Sequence, residues 1–193
     1  MDSQFLARME QILALYAAPY EAAFPVVCFD ERPCFLIGDQ VAGLEMKAGQ
    51  PKREHYAYEK NGSCALLMAI EPKTGKRLAE VFDHRTKQEY AFFMKELAAS
   101  YPEATTIRVV QDNLNTHSVS SFYETFSAAE AFALSQRFEF YYTPKSASWL
   151  NMTPDRVLGA LEAVFGEAHR HQGRVHERSL GACHRTRRES HQD

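Results

Sequence analysis

The stretch Thr106-Ile107-Arg108-Val109-Val110-Gln111-Asp112-Asn113-Leu114-Asn115-Thr116-His117 decides the fold class. Its first half is a short apolar run rich in β-branched residues, which reads as a buried strand. Its second half is polar and opens on an acid. A strand that ends in a carboxylate has a counterpart upstream, where Pro25-Val26-Val27-Cys28-Phe29 runs into Asp30. Ligands of α/β sheets gather at the carboxyl ends of strands. If these two strands are neighbours, Asp30 and Asp112 converge. Paired carboxylates suit hard cations such as Mg²⁺, which keep several waters and accept one or two protein oxygens. Two such ions can activate a water or a 3′-hydroxyl and stabilise the leaving oxygen of a phosphodiester. The competing reading of either acid is a turn former or helix cap.

The elements around these strands follow from pattern. Phe5 to Tyr20 carries apolar residues at helical spacing and stops near Pro19. Phe35-Leu36-Ile37 is expected to pair beside the first strand, and Gly38 to Lys60 reads as an extended loop. Ser63–Glu71 and Arg77–Phe82, joined by Pro72-Lys73-Thr74-Gly75, predict an antiparallel hairpin. Thr86 caps a helix to about Tyr101 with a Tyr90, Phe93, Met94, Leu97 stripe. Ser118–Phe126 and Ala128–Gln136 are helical, and Phe138–Tyr142 is a strand. Trp149 onward starts a helix that Pro154 interrupts. An antiparallel set followed by alternating α and β units predicts an α/β fold, a mixed sheet flanked by helices.

The chain has 193 residues, 45% hydrophobic and 24% charged, with formal net charge −3. That is the composition of one ordinary globular domain. Its longest clean apolar run, Cys64 to Ile70, is far too short to cross a membrane. The first residues lack a signal-peptide pattern. Cys28, Cys34, Cys64 and Cys183 show no CxxC spacing and read as reduced thiols of a cytoplasmic protein.

The charge is uneven. Residues 1–152 hold 15 Lys+Arg against 19 Asp+Glu, whereas 153–193 hold 7 against 6. Five of the eight histidines lie in the last 25 residues, among six arginines, and no Lys, Ile, Tyr, Phe or Trp follows Phe165. Such a segment buries too little apolar surface to offset its ordering entropy, so a disordered tail is expected.

Further residues carry candidate chemistry. His117 has no spaced His or Cys partner for a metal site. Lys145 and Trp149, in Thr143-Pro144-Lys145-Ser146-Ala147-Ser148-Trp149-Leu150-Asn151, suit a phosphate contact and a stacked base, or else a Trp packed as a core lid. Arg53, with Lys52, His55 and Tyr56, forms a basic-aromatic patch or a solvated loop.

Taken together, the strings VVCFDE (26–31), YEKNGS (58–63), RTKQEYAFFMKEL (85–97), VVQDNLNTH (109–117) and YTPKSASWLNM (142–152) resemble the catalytic domain of DDE transposases of the mariner-like superfamily, in particular those of bacterial insertion sequences. The resemblance implies an RNase H-like fold and cut-and-paste DNA transposition with Mg²⁺ or Mn²⁺ in a two-metal site. It implies that Asp30 and Asp112 are the first two catalytic, metal-binding acids. Asn113, Asn115, His117, Lys145, Trp149, Asn151 and Arg53 would then shape the site or touch DNA, both transposon ends and target. A homodimer, or association with a full-length transposase, and a place near the bacterial nucleoid also follow. Where the family carries its third acid, three residues after Asn151, this chain has Pro154. Asp155 lies one place further, about 100° away around a helix.

The domain scheme expected is therefore a helical lead-in over 1–24, an incomplete catalytic domain over 25–152, and an atypical tail over 153–193. A codon-compatible reading of residues 154–168 shifted by one base permits RIEFSVLSRQCLEKR, which has helical spacing and a Glu. A frameshift near Met152 is the expectation, with little or no activity in the chain as written. The N-terminal DNA-reading modules of the family are expected to be missing, in keeping with the absence of a basic surplus in 1–152. Two other readings stand beside this one. One is a non-catalytic, transposase-derived regulatory protein. The other is a stand-alone RNase H-like nuclease recruiting Glu31 or Asp155.

Overall fold

A computed structural model describes residues 3–39 and 58–153. The chain runs through helix α1 (Ser3–Ala17), strand β1 (Val26–Asp39), strand β2 (Tyr58–Ile70), strand β3 (Arg77–Phe82), helix α2 (Lys87–Ala99), strand β4 (Ile107–Gln111), helices α3 (Ser120–Thr125) and α4 (Ala128–Ser135), strand β5 (Phe138–Tyr142) and a single 3₁₀ turn at Ser148–Leu150. The strands form one sheet in the order β3-β2-β1-β4-β5. β1 and β3 each pair antiparallel with β2, and β4 lies parallel to both β1 and β5. The expected mixed sheet is therefore present.

Strand alternation sorts side chains onto two faces. Val27, Phe29, Leu67, Ala69 and Val109 point to one face and pack with Tyr90, Phe93, Met94 and Leu97 of α2 and Phe122 of α3. Cys28, Ile70 and Val110 point to the other and pack with Ile12 and Leu15 of α1 and with Leu150. The α2 stripe is buried as its spacing predicted. Thr86 and Glu89 close a capping box at its start, each satisfying an amide that the first turn leaves without a partner. The β2–β3 turn closes with the Gly75 N–H donating to the Glu71 carbonyl at 2.8 Å. Gly75 has φ +77°, a conformation that would strain a residue with a Cβ.

Two expectations need correction. Phe35-Leu36-Ile37 does not pair beside the first strand. It continues β1, paired with β2 through to Asp39↔Tyr58. The long partner β2 extends the ladder, with one register shift between Leu36 and Ile37. Likewise Asp30 does not end its strand. It pairs with Met68 in mid-strand, because antiparallel pairing with β2 persists where the apolar run stops. The predicted loop over 38–60 is strand at both described margins, and its centre lies outside the described residues. So does everything from Pro154 onward, including the predicted tail.

Candidate active site

Parallel pairing brings the two strand acids together. β1 and β4 are in register at Val26↔Arg108, Val27↔Val109 and Cys28↔Val110. Two residues further along each strand are Asp30 and Asp112, on the same face as Cys28 and Val110. β4 stops at Gln111, so the sheet opens beside Asp30 at that level. Burial pushes the Asp30 carboxyl above its usual range. A hydrogen bond from the Glu31 amide to Oδ1, at 2.9 Å, opposes that, and the nearby Asp112 charge adds to it. The two carboxylates thus repel one another across the opening.

Asp112 is placed by side chains. Gln111 is fully buried; its Oε1 accepts from the Tyr90 hydroxyl at 2.9 Å and its Nε2 donates to the His117 carbonyl at 2.9 Å. The loop between is closed by the His117 amide donating to the Leu114 carbonyl at 3.0 Å. The His117 ring stacks on Tyr90 and meets Phe29 edge-on, each with centroids 5.0 Å apart. Its Nδ1 lies 2.5 Å from Asp112 Oδ1. Its Nε2 lies 3.2 Å from Glu31 Oε2, an ion pair without hydrogen-bond alignment. Burial drives the imidazole pKa down, but Asp112 and Glu31 outweigh it and lift it to about 8. His117 is therefore an imidazolium at neutral pH and donates to Asp112. Glu31, almost wholly buried, is also 3.3 Å from the Arg85 Nε. Charges alternate along Arg85, Glu31, His117 and Asp112.

The third wall is the 3₁₀ turn and the residues after it. Asn151 Nδ2 donates to the Phe29 carbonyl at 2.8 Å, on the peptide that leads into Asp30. Its Oδ1 accepts from the amide and the hydroxyl of Thr153. The Tyr16 hydroxyl of α1 donates to the Leu150 carbonyl at 2.7 Å. A segment remote in sequence is so tied to β1 beside its acid.

The remaining predicted residues divide cleanly. Asn151 is spent on the Phe29 carbonyl and on Thr153. His117 engages two carboxylates. Trp149 is 65% exposed, which overturns the core-lid alternative, and Lys145, Asn113 and Asn115 are exposed as well. Arg53 and Asp155 lie outside the described residues. Glu31 faces Arg85 and the His117 imidazolium that also pairs with Asp112. Gln111, Tyr90 and Arg85 escaped the sequence reading as site residues. A buried-strand Gln beside an acid was the one available signal for Gln111.

Among the described residues no group of three or more His, Cys, Asp or Glu is arranged to hold a metal ion. Asp30 and Asp112 alone form a two-carboxylate donor set. Among those residues, each uses one oxygen in a hydrogen bond and leaves its second without one. That set fits a hard cation that retains several waters. No helix among the described residues is long and apolar enough to cross a membrane.

Solved structures share the fold. The Mos1 mariner paired end complex with Mn aligns at a TM-score of 0.53 and 14% identity, covering 84% of this chain and 49% of that one. The Mos1 transposase paired-end complex with left transposon end aligns at 0.51 and 13%, covering 86% and 50%. The chain spans about half the length of these structures. The likeness establishes the RNase H-like fold. No curated protein matches. The family model for the DDE superfamily endonuclease matches residues 25–165, past the boundary expected at 152. The chain belongs to the DDE superfamily of endonucleases.

Proposed function

We propose that this is the catalytic domain of a bacterial insertion-sequence transposase, built for divalent-metal-dependent DNA strand cleavage and transfer. The observation that carries the reading is the approach of Asp30 and Asp112 on the adjacent parallel strands β1 and β4, each with one oxygen that makes no hydrogen bond among the described residues. These two carboxylates would hold Mg²⁺ or Mn²⁺. Bound there, such cations would supply Lewis-acid activation of the attacking water or 3′-hydroxyl and would neutralise charge at the scissile phosphate.

The chain's own residues do the rest. His117, paired with Glu31, fixes the Asp112 carboxylate through Oδ1. Asn151 fixes the peptide before Asp30. Exposed Lys145 supplies a phosphate contact, Trp149 a stacking face, and Asn113 and Asn115 polar contacts beside the acids. Arg53 would reach DNA from the segment between β1 and β2. The domain scheme is a lead-in over 1–24, a catalytic domain over 25–152 and an altered tail over 153–193.

As written, the chain lacks the family's third acid, because Pro154 stands in its place and has no ligating atom. We infer that strand cleavage is lost and that a frameshift near Met152 removed it. The same feature supports a second reading, a non-catalytic protein that pairs with full-length transposase near the nucleoid and restrains it.

Electron paramagnetic resonance of Mn²⁺ with the full chain tests the site. The expected result is binding that Asp30→Asn and Asp112→Asn each abolish. Equal binding by both variants would sink the assignment. Cleavage of terminal-repeat DNA by the chain as written would overturn the loss of activity. Capture of intact transposase by the unaltered chain would support the regulatory reading.

A further inference from the structure

Beyond Asp30 the sheet narrows. β4 pairs with β1 only as far as Cys28↔Val110, and β3 pairs with β2 only as far as Ala65↔Phe82. From Cys34↔Cys64 to Asp39↔Tyr58 the described chain is a ribbon of two strands. Such a ribbon is marginal without a third strand or a packed helix. Its first rung beyond the sheet is a pair of cysteines.

Cys34 and Cys64 stand directly opposite one another in the antiparallel register. Directly opposed residues have Cα atoms about 4.5 or about 5.5 Å apart, depending on the rung. Both spacings fall inside the window of about 4.4–6.8 Å that a disulfide spans. The two side chains share one sheet face, and both are partly exposed and free as thiols. Burial raises the Cys64 pKa, and the Cys34 thiol is near enough to add to the rise. Cys28 is different: it is buried under α1, within 3.1 Å of the Tyr16 hydroxyl.

We propose that Cys34 and Cys64 are a modification site, a dithiol that small disulfide oxidants of the glutathione class convert to a reversible cross-strand disulfide, locking the base of the two-stranded ribbon. One cysteine thiolate attacks a sulfur of glutathione disulfide, forming a mixed disulfide and releasing glutathione thiolate. The second cysteine, as thiolate, attacks the protein-side sulfur and releases the second glutathione. The dithiol loses two electrons and two protons, the glutathione disulfide gains two electrons, and the protons pass to the released thiolates. Excess reduced glutathione drives the reverse exchange.

The test is equilibration of the full chain with glutathione redox buffers, read by intact mass, non-reducing peptide mapping and hydrogen exchange. The expected product has lost two hydrogens, links Cys34 to Cys64, and leaves Cys28 and Cys183 open to alkylation after unfolding. Oxidation should raise Tm by roughly 5–10 °C. It should slow exchange of the amides near the Cys34–Cys64 rung by at least about tenfold. Cys34→Ser and Cys64→Ser should each stop at a single glutathione adduct and show neither change. A wild-type chain that carries only glutathione adducts, or links a different pair, would overturn the proposal. So would a Cys34–Cys64 link that leaves ribbon exchange unchanged.

Discussion

Asp30 and Asp112 stand level on neighbouring strands, but the regions around them hold them differently. Asp30 sits in mid-strand, its backbone locked between Met68 of β2 and the sheet core below Phe29. Asp112 sits just past the end of β4, where backbone pairing has run out. Its place is fixed by side chains instead, through Gln111, Tyr90 and the His117 imidazolium. One acid is positioned by the ladder and the other by a polar network built on helix α2. A ladder depends little on any single side chain. A buried network depends on every member, since a half-satisfied one is worse than none.

That contrast can be broken from Asp112's side. His117→Leu leaves the Glu31 carboxylate buried without its imidazolium partner and frees Asp112. We expect a loss of about 3–5 kcal/mol, read as a lower urea midpoint at unchanged slope. A loss under about 1 kcal/mol would show that the network does not hold the loop.

Asp30's side breaks more gently. Asn151→Ala strips the partner from the buried Phe29 carbonyl and from the Thr153 amide. A cost of roughly 2–3 kcal/mol is expected by the same measurement, while β1 itself keeps its hydrogen-exchange protection. Loss of protection along β1 would show that the Asn151 contact, and not the ladder, carries the strand that bears Asp30.

Titration sharpens the comparison. The His117 pKa is about 8 in the fold against an ordinary 6.5. A raised pKa in the folded state means that folding takes up a proton between those values. The contribution is complete below about pH 6.5 and is lost as pH rises through 8, a fall of about 2 kcal/mol. Asp30 is raised as well, so its burial also favours lower pH. His117→Leu should remove most of the slope between pH 6.5 and 8 and leave Asp30's contribution at lower pH. A slope unchanged in that variant would assign it elsewhere.

The smallest effect lies at the rim. Trp149 is mostly exposed, so Trp149→Ala should change stability by less than about 0.5 kcal/mol. Its loss should instead weaken single-stranded DNA binding, by about 1–3 kcal/mol if one base stacks there. A destabilised variant would place the indole in the core after all.

Much of this was legible before any coordinates. The apolar runs at Val26–Phe29 and Ile107–Val110, the Thr86 cap and the Pro72–Gly75 turn are local signals, and the structure carries each of them. The pair Asp30 and Asp112 was legible because a carboxylate after an apolar strand is a break in a pattern. The extension of β1 through Phe35–Ile37 was not, because its partner strand lies beyond a long polar segment. Nor was the Gln111–Tyr90 bond, since a polar residue in an apolar strand shows only that some partner exists, never which one.

The amino-acid sequence by itself determined the mixed sheet, its flanking helices, the two candidate acids and the family. Those rest on period, turn chemistry and motif, which are properties of neighbours along the chain. Only the tertiary structure decided that β1 and β4 lie side by side in parallel, that Asn151 closes on Phe29, and that Cys34 meets Cys64. Register between strands and burial of a charge depend on which distant segments share a face, and no local preference encodes that choice.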